Sequence, residues 1–323
     1  MPHTWKELAS FFEEQIQSIS LTGKPEELYQ PIDYTLQLGG KRIRPVLALM
    51  SAELFKQEAK VALPAALAVE VFHNFTLVHD DIMDEAPLRR GKASVHSKWG
   101  RDIAILSGDV MFVKAYQQLE KASKEQLPSL MKLFNQTAIE VCEGQQLDMN
   151  FEQMQTVKLE EYIQMIEQKT AVLLAASLQM GAICANAKAK DAQLLYDFGK
   201  NLGIAFQIQD DYLDAFADPE KFGKQVGGDI LANKKTYLYL CAQNCKALAD
   251  REELQKAYSH KNEKTKIEAV KACYVNSGAV EATKKAIAEY SVKALQALDE
   301  VGVMDANKSP LRELAQYLMS RGV

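Results

Sequence analysis

Residues that make turns are scarce in this chain. Sixteen glycines and nine prolines in 323 residues are too few for an architecture of many short strands and tight turns, and they favour long helices. Cysteine is scarcer still: Cys142, Cys184, Cys241, Cys245 and Cys273 are scattered, with no CxxC spacing. That pattern indicates neither a disulfide framework nor a zinc site, and the thiols read as small apolar side chains in a reducing cytosol. Long uncharged runs are missing too. The longest, from Thr170 to Lys188, contains Ser177, Gln179 and Asn186 and reads as a buried helix rather than a membrane span. The N-terminal stretch, Met1 to Ser20, lacks the basic start and apolar run of a secretory signal, so no transmembrane segment is expected and the location is read as cytoplasmic. Positive charge is in deficit, at a formal net charge of -5. The molecule as a whole would therefore not attract nucleic acid or an anionic membrane, and an anionic substrate would need cations gathered locally.

What is present is helical pattern. With 47% hydrophobic and 25% charged residues, the composition is that of a globular chain with a sizeable core. Val280, Ile287, Tyr290, Ala294, Leu298 and Val301 recur at three, four or seven residues, the spacing of one helix face. From Pro64 to Asp84, Glu70 is the only acidic or basic charge before the aspartates at the end; a helix apolar nearly all round belongs in the centre of a bundle. Lys158 to Ala185 and Gln193 to Phe216 become similarly apolar along their length. Gly39-Gly40, Arg89-Arg90-Gly91, and Asp218-Pro219 with Gly223, Gly227 and Gly228 punctuate these segments. No repeat, long linker or alternating strand run stands out. The expectation is one all-α domain over residues 1–323, with about a dozen helices around a central cluster.

The chemistry lies in two aspartate clusters. Asp80, Asp81 and Asp84 end the first apolar segment, and the same spacing returns at Asp210, Asp211 and Asp214 after Leu202 to Ile208. Residues four apart on a helix differ by only about 40°, so the outer two aspartates of each cluster share a face. Like charges at that spacing repel, and carboxylates at the end of a core helix are costly unless a cation meets them. Grouped hard oxygens suit Mg²⁺, which keeps several waters and completes its shell with substrate phosphates. One such cluster alone would read as a solvated acidic helix end. Two on two apolar helices point to metal sites.

Cations stand near these clusters or at a glycine break: Lys41, Arg42 and Arg44 after Gly39-Gly40, Arg89-Arg90 beyond Asp84, and Lys224 with Lys234-Lys235 beyond Asp214. Arginine offers a planar fork to phosphate oxygens and lysine a compact charge, so carboxylates, metal and bases together describe a site for diphosphate groups. The lysines from Lys246 to Lys271 and from Lys188 to Lys190 read as solvated surface charges. His73 lies seven residues before Asp80, close to two turns, and shares its face. His79 and His96 read as satisfied structural residues.

The segments GGKRIRP (39–45), HNFTLVHDDIMD (73–84), RRG (89–91), GQQLD (144–148), KT (169–170) and FQIQDDYLD (206–214), with Lys224 and KKT (234–236), resemble the trans-isoprenyl diphosphate synthases, the polyprenyl synthetase family. The resemblance is in order and spaced alike over roughly residues 35 to 240; beyond that it extends only to helical character. It implies a single-domain orthogonal α-helical bundle, the type I isoprenoid synthase fold, with a deep central cavity and a homodimeric assembly. It implies that isopentenyl diphosphate is joined head-to-tail to an allylic diphosphate (dimethylallyl, geranyl or farnesyl), releasing pyrophosphate. By the same resemblance Asp80 and Asp84 hold two Mg²⁺ and Asp210 a third, Mn²⁺ being a possible substitute, with Asp81, Asp211 and Asp214 as supporting or water-mediated ligands. Arg89, Lys169 and Lys224 clamp the allylic diphosphate, Lys234 assists, and Lys41, Arg44, His73 and Arg90 take isopentenyl diphosphate. Thr170 and Gln207 face the carbocation.

Product length is read from the residues before the first aspartate. In this family, bulk at the fourth and fifth positions upstream stops elongation; here these are Thr76, small, and Phe75, large, with Phe72 next along the stripe. One aromatic with DDxxD resembles archaeal-type geranylgeranyl synthases, so a C20 product is expected, with C15 farnesyl diphosphate as the alternative. A class I terpene cyclase would carry an Asn/Ser/Glu-type second metal motif. A non-catalytic subunit of a heteromeric synthase would lack the aspartates. Neither matches the two clusters.

Overall fold

The computed structural model describes residues 3–19, 21–217, 226–245 and 247–320, which form two compact units. The first comprises Met1–Asn135, Ala176–Tyr196 and Val301–Leu311; the second comprises Gln136–Ala175, Asp197–Glu300 and Arg312–Val323. Lys224 and Arg321, together with most of the expected Asp218–Gly228 loop, lie outside the described residues.

The first unit opens with α1 (Trp5–Ser18). Thr4 accepts from the Glu7 amide and the Glu7 carboxylate accepts from the Thr4 amide, a reciprocal cap that satisfies two otherwise unpaired donors. Leu8, Phe12 and Ile16 are its buried residues, at the four-residue spacing that puts them on one face. Next come α2 (Glu26–Gln37) and α3 (Ile43–Leu54). A 3₁₀ turn (Ala59–Ala62) then leads into α4 (Leu63–Met83). Pro64 sits at the start of α4, where its missing amide removes no hydrogen bond. Ala65 to Phe72 are all buried, as expected of a helix without a polar face.

The stretch from Ala59 to Met83 is long and apolar enough to cross a membrane, yet 61% of its most apolar window is buried within the protein. It is a core helix. After α4 the chain makes a short antiparallel hairpin, β1 (Leu88–Arg89) with β2 (Lys92–Ala93), which the sequence reading did not anticipate because two residues per strand leave no alternation to detect. Then α5 (Val95–Trp99) and α6 (Arg101–Leu119) follow.

Next in the chain are α7 (Leu127–Gln153), α8 (Leu159–Ile166), a π-helical turn (Glu167–Ala171), α9 (Val172–Cys184) and α10 (Ala189–Phe216). The remaining elements are α11 (Gly228–Leu231), α12 (Tyr237–Gln243), α13 (Leu248–Tyr258), α14 (Glu263–Asn276), α15 (Ala279–Glu300) and α16 (Asp305–Met319). The fold is all-α as expected, with more helices than the dozen expected, some being single turns too short to leave a periodic signal. The second unit is built on two apolar clusters. One joins Phe151, Tyr162, Ile166, Ile204, Ile208 and Leu240; the other joins Ile230, Leu238, Leu254, Val270 and Tyr274.

Two expectations about surface residues are corrected. Lys266, read as solvated, is 8% exposed and its ammonium donates to Asn233 Oδ1 at 2.7 Å. Cys142, read as a core thiol, is exposed, whereas Cys184 and Cys273 are buried. The partner of Lys266 lies in a turn 33 residues earlier in the chain, a pairing that sequence spacing does not report.

Candidate active site

The first unit gathers the leading aspartates with a set of arginines. α4 ends at Asp84, whose amide bonds Asp80 O at 2.8 Å, so the DDxxD carboxylates sit on its final turn. Asp81 is buried and forms an ion pair with Arg89 on the hairpin, Arg89 Nε donating at 2.9 Å. Asp84 is exposed and Asp80 half-buried, leaving them the more accessible carboxylates of the cluster. Arg42, Glu85 and Arg90 all have left-handed backbones (φ 49°, 50° and 53°), a conformation unfavourable for residues with a Cβ and often retained around functional sites. Gly40, at φ 147°, lies where a Cβ would come within 2.9 Å of the Arg90 guanidinium. The glycine therefore makes room for Arg90.

The three cations of the first basic segment divide by role. Arg42 is buried and donates to Glu70 at 2.5 Å, to Glu13 at 2.8 Å and to Leu36 O at 2.7 Å. It is an internal anchor, and Glu70, the lone charge in the apolar run, is its partner. Losing either member would leave an uncompensated buried charge, at a cost of about 3–5 kcal/mol. Arg44 instead donates from Nη1 to His73 Nε2 at 3.1 Å, and its buried Nε has no hydrogen-bond partner. Burial holds Arg44 down at about 10, with Arg90 adding to the shift. Burial also pushes the His73 imidazole well below its usual range, and the surrounding arginines, Arg44 foremost, push it further. His73 is thus neutral and accepts from Arg44, which presents a donor-rich, unsatisfied edge of the kind an anion fills. Lys41 is exposed. Arg90 is exposed as well, so the described cations expected for isopentenyl diphosphate all lie in this unit.

Farther along α4, Phe72 and Phe75 join Phe112, Tyr116 and Phe134 in one aromatic cluster. Phe75 stacks on Phe112 with centroids 5.1 Å apart, and Phe72 is 5.3 Å from Phe134. Thr76 caps inward to His73 O at 2.8 Å. His79 and His96 are satisfied as expected, by Ile105 O at 3.2 Å and by Ser94 at 3.2 Å.

The second unit holds a cavity of about 510 Å³ lined by Asp210, Asp211, Asp214, Lys169, Thr170, Gln207 and Lys234, all expected site residues, and by Asp148, Tyr162, Asp229 and Lys235. Lys169 and Thr170 are presented by the π-turn, a form frequent at functional sites. Lys169 is paired with Asp148. Thr170 Oγ1 donates to Gln207 Oε1 at 3.3 Å, and Gln207 Nε2 to Asp211 Oδ1 at 3.4 Å. Asp211 is buried; its other oxygen accepts from the Tyr162 hydroxyl and from the Tyr237 amide at 3.0 Å. Burial raises the Asp211 carboxyl to about 7, Asp229 adding to the effect and these hydrogen bonds opposing it. The Asp229 amide donates to Asp214 Oδ2 at 3.0 Å, and Lys235 to Phe151 O at 2.6 Å. Lys234, half-exposed, stands 3.9 Å from Asp229.

The aspartates of each cluster are thus unequal. Asp81 and Asp211 are buried and committed to internal donors, while Asp80, Asp84 and Asp210 are more accessible. Among the described residues no three acidic, His or Cys side chains converge as a complete cage. Grouped carboxylate oxygens are the hard donors that Mg²⁺ takes one or two at a time, water and phosphate oxygens filling the rest of its shell.

Tyr162, Asp148 and Asp229 were not foreseen as site residues. Asp148 was visible within GQQLD but without a role, and Tyr162 reaches Asp211 across a separation of 49 residues, which no periodicity reveals.

A sequence model of the polyprenyl synthetase family matches residues 25–276. The chain is 42% identical over 239 residues to a geranylgeranyl diphosphate synthase of Methanosarcina mazei, covering 73% of this chain and 74% of that protein. It is 33% identical to a geranylfarnesyl diphosphate synthase of Natronomonas pharaonis, covering 92% and 91%. Among solved structures, a crystal structure of a geranylgeranyl pyrophosphate synthase superposes with a TM-score of 0.94 at 47% identity, covering 99% of this chain and 100% of that one. The chain belongs to the polyprenyl synthetase family of prenyl-transferring enzymes.

Proposed function

We propose that this protein is a short-chain trans-prenyltransferase that condenses isopentenyl diphosphate head-to-tail with dimethylallyl, geranyl or farnesyl diphosphate, with geranylgeranyl diphosphate (C20) as its main product. The carrying observation is the pocket in which Asp210, Asp211 and Asp214 line one cavity with Lys169 and Lys234, a charge pattern made for a metal-bound diphosphate. Asp80 and Asp84 would hold two Mg²⁺ and Asp210 a third, with Asp81, Asp211 and Asp214 in support and Mn²⁺ as a substitute. Bound there, the ions would supply the charge neutralisation that a leaving pyrophosphate needs. Arg89, Lys169, Lys224 and Lys234 hold the allylic diphosphate, and Lys41, Arg44, neutral His73 and Arg90 hold the isopentenyl one. Thr170 and Gln207 turn oxygen dipoles toward the cationic carbon. The departing pyrophosphate takes the final proton, since no His or Glu is placed as a dedicated base.

Phe75, with Phe72 behind it and Thr76 beside it, sets the floor for the growing chain and supports C20. Farnesyl diphosphate (C15) is the alternative product, and the names of the relatives support the longer one. We read the chain as one catalytic domain acting in the cytoplasm as a homodimer. Exposed Ile105, Leu106 and Val113 on α6 support a protein contact there, checked by light scattering of the wild type and of Leu106→Glu. The test of function is incubation with Mg²⁺, labelled isopentenyl diphosphate and each allylic primer, with products identified by mass. C20 is expected to dominate; no elongation of any primer would refute the reading.

A further inference from the structure

We infer that Asp148 is a positioning residue for Lys169, and that the GQQLD segment forms a cradle that fixes the π-turn carrying Lys169 and Thr170. The inference rests on the proposed role of Lys169 at the allylic diphosphate.

Gly144 and Asp148 are four residues apart on α7, so they share one face. Both meet the same residue. A Cβ on Gly144 would overlap the Lys169 backbone nitrogen and come within 2.7 Å of the Gln168 carbonyl carbon, so only glycine lets the π-turn lie this close to α7. One turn later Asp148 accepts the Lys169 ammonium. Glu143, just before the glycine, accepts from Gln168 Nε2 at 3.1 Å. The backbone and the far end of Lys169 are thus both held by one helix.

A lysine is a point charge on a flexible four-carbon stem, and a π-turn is an uncommon form that its surroundings must hold in place. The cradle answers both needs. An ammonium has three N–H donors; with one on Asp148, two remain for diphosphate oxygens in the cavity that Lys169 and Asp148 both line. Asp148 also offsets part of the Lys169 charge, so the pair acts as an oriented donor rather than as an unscreened trap for the pyrophosphate product.

The experiment is a double-mutant cycle on the full-length enzyme with Asp148→Ala, Lys169→Ala and both together. Asp148→Asn, which keeps an oxygen acceptor without charge, and Asp148→Glu run alongside. Asp148→Ala is expected to raise KM for the allylic primer roughly 10–100-fold, the loss of one charged hydrogen bond, with KM for isopentenyl diphosphate within about twofold. Asp148→Asn falls between wild type and alanine, and Asp148→Glu recovers part of the loss. In the Lys169→Ala background, Asp148→Ala adds nothing. Calorimetric titration of inorganic pyrophosphate with Mg²⁺ repeats the cycle without turnover, so the inference is read even if the wild type elongates none of the primers, an outcome that sinks the proposed reaction instead. An Asp148→Ala effect that persists at full size without Lys169, that falls equally on both substrates, or that is absent overturns the inference. If the alanine variant does not fold, the same cycle is run with asparagine.

Discussion

The aspartates that share a motif do not share a job. Asp81 and Asp211 are buried and bonded to Arg89 and to Tyr162, whereas Asp80 and Asp210 are more accessible on the same helix ends. Asp80→Ala and Asp210→Ala are expected to reduce turnover by several orders of magnitude, since stabilising a leaving pyrophosphate is the largest electrostatic task in the reaction. Circular dichroism should show an unchanged fold, and near-normal activity in either variant would remove that residue from the metal site. His73 gives a prediction in pH. Burial and four arginines (Arg42, Arg44, Arg89 and Arg90) lower its folded pKa, so below the ordinary value near 6.5 the unfolded state binds a proton that the folded state refuses. His73 therefore costs nothing above that pH, and stability falls as pH drops below it, by at most ~1.4 kcal/mol per unit. Denaturant titrations from pH 7.5 to 5 should show that slope in the wild type and a shallower one in His73→Gln.

At the scale of elements, α4 and α6 meet through aromatic rings, and α14 reaches back to a loop. Phe75→Ala removes the ring stacked on Phe112 and is expected to shift the products from C20 toward C25 and beyond, read by mass. Phe75→Ala with Phe112→Ala should shift them further. An unchanged spectrum in both would place the floor elsewhere. Lys266 on α14 holds Asn233, the residue with φ 54° just before Lys234 and Lys235. Ile267 lies close to Gly227, at the start of α11 just before the turn at Asn233. Lys266→Met should fill the volume but leave Asn233 unpaired. The expected loss is about 1–3 kcal/mol of stability, together with a higher KM for the allylic primer than for isopentenyl diphosphate; equal KM changes would make the lysine purely structural.

For the whole molecule, a ligand that binds only the folded state stabilises it by mass action, by about 2.7 kcal/mol at a hundred times its dissociation constant. Mg²⁺ with inorganic pyrophosphate is therefore expected to raise the melting temperature by several degrees, and chelation with EDTA to abolish the increase. A rise of equal size with pyrophosphate and EDTA would mean that the arginines and lysines bind it without metal.

The local chemistry was legible in the sequence. Carboxylates at i and i+4, a histidine two turns upstream, and glycines before basic residues are short-range patterns, and helix geometry turns them into faces without further information. The apolar run of α4 likewise declared its own burial. What the sequence could not show is which charges answer one another. Arg42 looked like its neighbour Arg44 but is spent on Glu70, 28 residues away. Lys266 looked solvated and is buried against Asn233, 33 residues away. Lys169 finds Asp148 at a separation of 21. Such pairs are set by how helices pack, through contacts at separations that no helical or strand period encodes, so only the tertiary structure could separate the charges spent inside the fold from those left accessible.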